Sequence, residues 1–274
     1  MLVIVLVSGT RATSTITRAT IERNVIKECR GMILDFQSVS VVIPAYNEGE
    51  RIEGTLRDLG HYLELNFPRF EIIVVDDGSG DDTAEKVKRV AETNRRVALI
   101  SYFPNRGKGF AVRLGILRAA YDAVLFTDAD LSTPVEEIEI ALAQLARGFS
   151  VVIASRRHPE SFIACRQNPA RESIGRTFNA LVRVMIGLPY RDTQCGFKCF
   201  TRSAAKEIFS RARIDRFSFD VEILLIARAM GYAIKEIPVR WTNAPGSKVR
   251  PLRDLGSIVR ELMQLCRTRI RRGW

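Results

Sequence analysis

The chain has 274 residues, 46% hydrophobic and 27% charged, with a formal net charge of +11; this composition excludes a disordered, collagen-like or multi-pass membrane protein. Its length suits one large domain or two small ones. The charge is unevenly spread: residues 39–155 carry 13 basic and 18 acidic residues, 156–213 carry 12 and 4, and 240–274 carry 9 and 2. An acidic half suited to cations and polar ligands therefore precedes a basic half suited to polyanions.

In chain order, the apolar run Leu2–Val7 is far short of the ~20 residues a spanning helix needs. No basic residue precedes it as in a secretion signal. The expectation is a chain without transmembrane anchor or signal peptide, and residues 1–37 are assigned no role. Residues 39–44 form a short apolar strand closed by Pro44, and Ile52, Leu56, Leu59 and Leu63 follow at helical spacing. Residues 71–75 are a buried strand ending in the turn Asp76-Asp77-Gly78-Ser79. Strands at 97–101 and 123–126 flank a helix over 109–120. A helix carrying Ile138, Leu142 and Leu145 leads to a strand at 151–154. This alternation predicts a mainly parallel sheet covered on both faces. Ligands bind such sheets outside the carboxyl ends of the strands, where the polar clusters 44–48, 76–79, 105–108 and 128–130 fall.

After Ser155 the pattern changes. A basic helix spans 169–186 with Arg171, Arg176 and Arg183, and Gly187–Pro189 stops it. Residues 195–201 read as a strand or turn, 219–230 as a helix and 234–239 as a final strand. From Pro251 a helix places Leu255, Ile258, Leu262 and Leu265 on one face and ends in Arg267, Arg269, Arg271, Arg272 and Trp274. The five cysteines include Cys195 and Cys199 as a lone CxxxC, and the histidines are His61 and His158. Four zinc ligands at credible spacing are not available, so reduced thiols in a cytoplasmic protein are expected.

Asp128-Ala129-Asp130 follows a buried strand and puts two carboxylates on one side of an extended segment. Such a pair is either a solvated turn or a seat for a hard cation that takes oxygen ligands. The neighbouring clusters favour a metal site holding a diphosphate. Asp76 and Asp77 are acceptor-only groups suited to a base or ribose. Asp81 and Asp82 are assigned to capping the following helix. Asn105-Arg106-Gly107-Lys108-Gly109 is a cationic loop before a helix that lacks Walker spacing.

Together VSVVIPAYNE (39–48), IIVVDDGS (72–79), NRGKG (105–109) and FTDADLS (126–132) resemble the nucleotide-sugar half of an inverting family-2 glycosyltransferase of GT-A fold. ASR (154–156), RDTQCGFKCFTR (191–202), FDVEIL (219–224) and WT…GSK (241–248) are similar to dolichyl-phosphate β-glucosyltransferases and related polyprenyl-phosphate glycosyltransferases. The resemblance implies an α/β fold with a Rossmann-like, mainly parallel sheet. It divides the chain into an extension (1–37), a GT-A domain (38–250, with donor half 38–155 and acceptor half 156–250) and a basic amphipathic C-terminal helix (251–274). By the same resemblance Pro44, Ala45, Tyr46, Glu48, Asp76 and Asp77 hold the nucleoside. Asp128 and Asp130 hold Mg²⁺ or Mn²⁺ and the diphosphate, with Ala129 and Lys108 beside them. Ser155, Arg156 and Arg171 bind the acceptor phosphate. Asp192, Gln194 and Lys248 line the donor–acceptor pocket, Asp192 as a candidate to orient a sugar hydroxyl or a cation. Related mannosyltransferases commonly have Gln where Ser132 stands, so Ser132 is left out of the core site.

The implied reaction transfers glucose from UDP-glucose to dolichyl or polyprenyl phosphate with inversion. The acceptor phosphate is mostly dianionic at neutral pH and needs no general base. The alternatives are a GDP-mannose or N-acetylhexosamine donor, or a non-catalytic nucleotide-sugar-binding protein. A Rossmann dehydrogenase is disfavoured because no GxGxxG follows the first strand. Nucleic acid is disfavoured because aromatics do not interleave the basic residues. Attachment to the cytoplasmic face of a membrane suits residues 169–188 and 252–274, whose apolar faces could equally pack in the core. A membrane-anchoring partner is a further expectation.

Overall fold

The computed structural model describes residues 36–165, 169–243 and 260–267. Strand β1 (Ser38–Ala45) is buried on both faces from Ser38 to Ile43, as the continuous apolar run requires. Val42 points to one core and Val41 and Ile43 to the other, because successive strand side chains alternate. Strands β2 (Arg69–Asp76), β3 (Val97–Ser101) and β4 (Ala123–Thr127) run parallel to β1. The connecting helices are α1 (Ile52–Asn66), α2 (Thr83–Thr93) and α3 (Lys108–Arg118).

Helix α4 (Glu137–Ala146) leads to β5 (Val151–Ser155), and α5 (Pro169–Ile186) to β7 (Phe197–Thr201). Helices α6 (Arg202–Arg211) and α7 (Phe219–Ala229) and strand β8 (Ile234–Pro238) complete the order. The seven-stranded sheet has the order β3-β2-β1-β4-β7-β5-β8. Only β7 is reversed, lying antiparallel to both β4 and β5. One face of the sheet packs on α3, α6, α7 and the end of α5, the other on α1, α2 and α4. This is the mainly parallel, doubly covered GT-A architecture expected from the sequence, and both halves of the chain contribute strands to one sheet.

Several boundaries differ from expectation. The expected final strand over 234–239 breaks at Pro238, and the chain continues as β9 (Arg240–Thr242), which pairs in parallel with β6 (Phe162–Cys165). Helix α3 begins one residue early, at Lys108, because Gly107 with φ 109° turns the chain into it. Asp81 rather than Asp82 serves the start of α2: its carboxylate accepts from the Thr83 N–H (3.1 Å) and the Gly49 N–H (3.0 Å), whereas Asp82 pairs with Lys86 at 3.0 Å.

The apolar faces of the two basic segments also turn inward in part. Val182 and Ile186 of α5 and Leu262 and Leu265 of the helical residues 260–267 are buried in the core, while Val184 stays 85% exposed. Residues 1–35 and the rest of the expected C-terminal helix lie outside the described residues. Among the described residues no helix is long and apolar enough to cross a membrane.

Candidate active site

The carboxyl ends of β1, β2, β4 and β5 share one edge, and β7 starts there because it is reversed. At the end of β1, Ala45 is buried and Tyr46 is 40% exposed. The Asn47 N–H donates to Ser79 Oγ (2.9 Å) and the Gly80 N–H donates to Asn47 Oδ1 (2.8 Å). The Glu48 N–H donates to Thr83 Oγ1 (2.8 Å), and its carboxylate pairs with Arg51 at 2.8 Å. The loops after β1 and β2 are thereby laced together.

Asp76 and Asp77 are both buried but differ in role. Asp76 accepts from the Ser79 N–H (3.2 Å) and Ser101 Oγ (2.8 Å). Asp77 accepts from Tyr102 Oη (2.8 Å), Asn105 Nδ2 (2.8 Å), the Arg106 N–H (2.7 Å) and the Gly107 N–H (2.9 Å). Burial and the Asp77 carboxylate together push the Tyr102 hydroxyl well above its ordinary pKa. Asp77 thus folds the whole loop between β3 and α3, and its acceptor positions face that loop.

That loop delivers Lys108, whose Nζ lies 2.6 Å from Asp128 Oδ1. Burial opposes its charge, but the carboxylates of Asp128, Asp220 and Asp130 outweigh burial and hold its pKa above the usual lysine range. Asp128 and Asp130 stand on a tight turn after β4. The Leu131 N–H returns to the Asp128 carbonyl (3.2 Å) with Leu131 at φ 45°, and Asp130 Oδ1 accepts from the Ser132 N–H (2.9 Å). Thr55 Oγ1 pins the Ala129 carbonyl from below at 2.6 Å.

Gly196 makes room for Asp128: a Cβ there would meet Asp128 Oδ2 at 2.0 Å. The donor set, two partly exposed carboxylates already holding one ammonium, fits a hard divalent cation. Among the described residues no third His, Cys, Asp or Glu joins them, so remaining ligands would come from substrate oxygens and water. Ser132 lends its N–H to Asp130.

Across β7, at the end of β5, Arg156 forms a forked pair with Asp192: Nε to Oδ2 at 2.7 Å and Nη2 to Oδ1 at 3.0 Å, with the Arg156 N–H also on Oδ2 (3.2 Å). Burial alone would raise the Asp192 pKa, but Arg156 more than reverses this and brings it down to about 2. Asp192 is fully enclosed, with both oxygens accepting from Arg156, whose guanidinium lies 5.8 Å from the Trp241 ring. Ser155 is buried, its Oγ accepting from the Arg157 N–H (3.3 Å). Gln194 is partly exposed beside Gly196, and its N–H donates to Asp192 Oδ1 (3.2 Å). The negative charge of Asp128 also favours the charged form of Arg156, so the acidic and basic subsites adjoin. Lys248 lies outside the described residues, as does the side chain of Arg171, although its backbone belongs to α5. Thr242, six residues before Lys248, donates its N–H to the Ser132 carbonyl (2.9 Å), so β9 ends against the turn that carries Asp130.

Two supporting groups escaped sequence reasoning. Lys198 is buried, its Nζ on the Cys195 carbonyl (2.8 Å) and on Asp220 Oδ1 (2.5 Å), 5.3 Å from the Phe126 ring. The signal was alternation: Lys198 shares a strand face with Phe200, a core residue. Glu236 accepts from the Arg191 and Asp192 N–H groups at 2.9 and 3.0 Å and fixes the loop that carries Asp192; no local motif marks it.

The Glycosyl transferase family 2 model matches residues 40–209. Dolichyl-phosphate beta-glucosyltransferase of Drosophila melanogaster is 36% identical over 240 residues, 83% of this chain and 74% of that protein. The Homo sapiens protein of the same name is 37% identical over 228 residues, 78% and 70% of the two chains. Among solved structures, glucosyl-3-phosphoglycerate synthase from Mycobacterium tuberculosis in complex with Mn²⁺, uridine-diphosphate and glucosyl-3-phosphoglycerate superposes with a TM-score of 0.65. It shares 20% identity, covering 96% of this chain and 86% of that one, and it speaks for the fold.

Proposed function

The chain belongs to glycosyl transferase family 2, and on that premise we propose that it transfers glucose from UDP-glucose to dolichyl or polyprenyl phosphate with inversion. The observation that carries this reading is the juxtaposition of an acidic, cation-holding turn (Asp128, Asp130) with a basic clasp (Arg156 on Asp192) at one sheet edge. A transferase joining two anions needs such a pair of subsites. The names of the most similar relatives support the sugar and the acceptor, and the UDP and Mn²⁺ of the structural neighbour support the donor and metal.

In this reading the rim made by Pro44, Ala45, Tyr46, Glu48 and Asp76 receives the nucleoside, and Asp77 shapes the loop beside it. A divalent cation on Asp128 and Asp130, Mg²⁺ or Mn²⁺, supplies charge neutralisation of the departing diphosphate. Lys108 adds a second cation there. Ser155, Arg156 and Arg171 receive the acceptor phosphate, with Gln194 and Lys248 on the pocket wall. A phosphate oxygen attacks the anomeric carbon, forming the new C–O bond. The bond to the diphosphate breaks and its electrons leave with it. An α-linked donor then gives a β-linked lipid-phosphate sugar. The phosphate dianion carries no proton to remove, so catalysis is positioning and electrostatics.

The donor half is 38–155 and the acceptor half 156–250. Peripheral attachment to the cytoplasmic face of a membrane is supported by exposed Arg183 beside exposed Val184 on α5, with the 251–274 helix and an anchoring partner as further contributors. The test is a product assay with Mg²⁺ or Mn²⁺, a short polyprenyl phosphate and UDP-glucose, GDP-mannose or UDP-N-acetylglucosamine in parallel. A lipid-soluble glucose product lost on chelation supports the proposal. Transfer only from another donor overturns the sugar, and folded protein inert with every donor in liposomes overturns the reaction.

A further inference from the structure

Lys108 sits in an unusual position for a substrate-binding lysine, because its ammonium lies directly on Asp128 Oδ1, at 2.6 Å. A carboxylate in that contact cannot also ligate a metal without repulsion between the two cations. The lysine backbone is not free to retreat. Gly107, immediately before it, packs so that a Cβ would meet the Asp215 carbonyl at 2.5 Å, and the Phe110 N–H is bound to that same carbonyl at 3.0 Å. Only the four-carbon side chain can move.

We propose that Lys108 is a built-in competitor of the divalent cation: its ammonium on Asp128 Oδ1 opposes metal binding there and is released toward the donor diphosphate when metal and nucleotide arrive together. This rests on the reading of Asp128 and Asp130 as metal ligands. Its consequence is coupling. Metal alone must displace an ion pair with nothing to receive the lysine, whereas a nucleoside diphosphate offers the released ammonium its own oxygens. Metal and nucleotide therefore strengthen each other's binding, by equal factors as linkage requires. The lysine keeps the site from filling with metal that brings no donor.

The experiment is Mn²⁺ binding to the full chain, read from the electron paramagnetic resonance signal of free Mn²⁺, with and without UDP. Wild type, Lys108→Met, Lys108→Arg and Asp130→Ala are compared. Removing a unit charge beside a divalent cation at a water-exposed site tightens binding about tenfold, so Lys108→Met binds Mn²⁺ alone about tenfold more tightly than wild type. The gain in Mn²⁺ affinity on adding UDP shrinks by a similar factor, and Lys108→Arg behaves like wild type. Lys108→Met binding Mn²⁺ alone no better than wild type, or keeping the full gain with UDP, overturns the proposal. Asp130→Ala binding Mn²⁺ as wild type overturns the metal assignment itself, so the two failures are told apart.

Discussion

Replacing Asp192 by Asn isolates what the clasp on Arg156 does. The change keeps volume but removes the charge that receives two guanidinium hydrogen bonds, at 2.7 and 3.0 Å, and turns an amide N–H₂ toward one of those donors. Two charge-assisted bonds at about 1.5–3 kcal/mol each set an upper bound. Arg156 is 27% exposed and regains part of that from water, leaving about 2–3 kcal/mol. The Asp192 pKa, brought down to about 2 chiefly by Arg156, has the same sign: the native state favours the carboxylate. Because the folded carboxylate is the more acidic, this stability is present above pH ~4 and lost as pH falls through about 2.

Urea denaturation should therefore show Asp192→Asn less stable by about 2–3 kcal/mol at neutral pH, with the difference from wild type closing toward pH 2. In turnover the loss falls on kcat, by about tenfold or more, without a rise in KM for the lipid phosphate. The freed guanidinium still attracts the anion but no longer holds it in line. A variant within ~0.5 kcal/mol of wild type and with wild-type kcat would refute the positioning argument.

Four further outcomes are expected. Arg156→Ala mainly damages use of the lipid phosphate, measured as acceptor KM and kcat against nucleotide affinity; a loss confined to donor binding would refute the acceptor assignment. Gly196→Ala puts a methyl 2.0 Å from Asp128 Oδ2. That carboxylate is 39% exposed and can swing away, so stability changes by less than ~1 kcal/mol while Mn²⁺ affinity falls at least about tenfold. Unchanged Mn²⁺ binding would count against the site. Asp77→Ala strips acceptors from the Arg106 and Gly107 N–H groups and costs about 2–4 kcal/mol, with faster proteolysis at 105–107; wild-type protease resistance would contradict the loop assignment. Lys198→Met leaves Asp220 buried without its ion-pair partner and destabilises by about 3–5 kcal/mol. Lys198→Met combined with Asp220→Leu should recover most of that in thermal melts, and a double variant as unstable as the single one would show that packing, not charge, is at stake.

The first half of the sheet was readable because its strands are mainly apolar runs, ending at Ala45, Asp76 and Thr127, where periodicity and polar clustering change together. The same pattern located Asp128 and Asp130, but the extended segment expected there is a tight turn, closed by the Leu131 N–H on the Asp128 carbonyl. The part of the chain after Ser155 was less readable for physical reasons. Strand β6 has largely exposed residues, Phe162 and Cys165 among them, so no buried run announces it. Strand β7 carries a lysine in its middle, and only tertiary pairing with Asp220 makes that lysine a core residue. Two adjacent aspartates look alike in sequence, yet Asp77 turns to a loop 25–30 residues later while Asp76 stays with Ser79 and Ser101. Which carboxylate organises the loop before α3 is decided by that distant segment.

The reversal of β7 has a consequence for how such a catalyst can diversify. Val151 pairs with Phe200 and Ile153 with Lys198, so β5 leaves the sheet and β7 re-enters it at the same edge. The described residues between them, 156–165 and 169–196, leave and rejoin the sheet at one edge, and Val182, Ile186 and Leu188 dock them on the core that Val42, Val75 and Phe126 share. Outside those docking residues, such an excursion can be lengthened or shortened while the register of β1, β2, β3 and β4 is kept. Variation there is uncoupled from the pairing of the parallel strands.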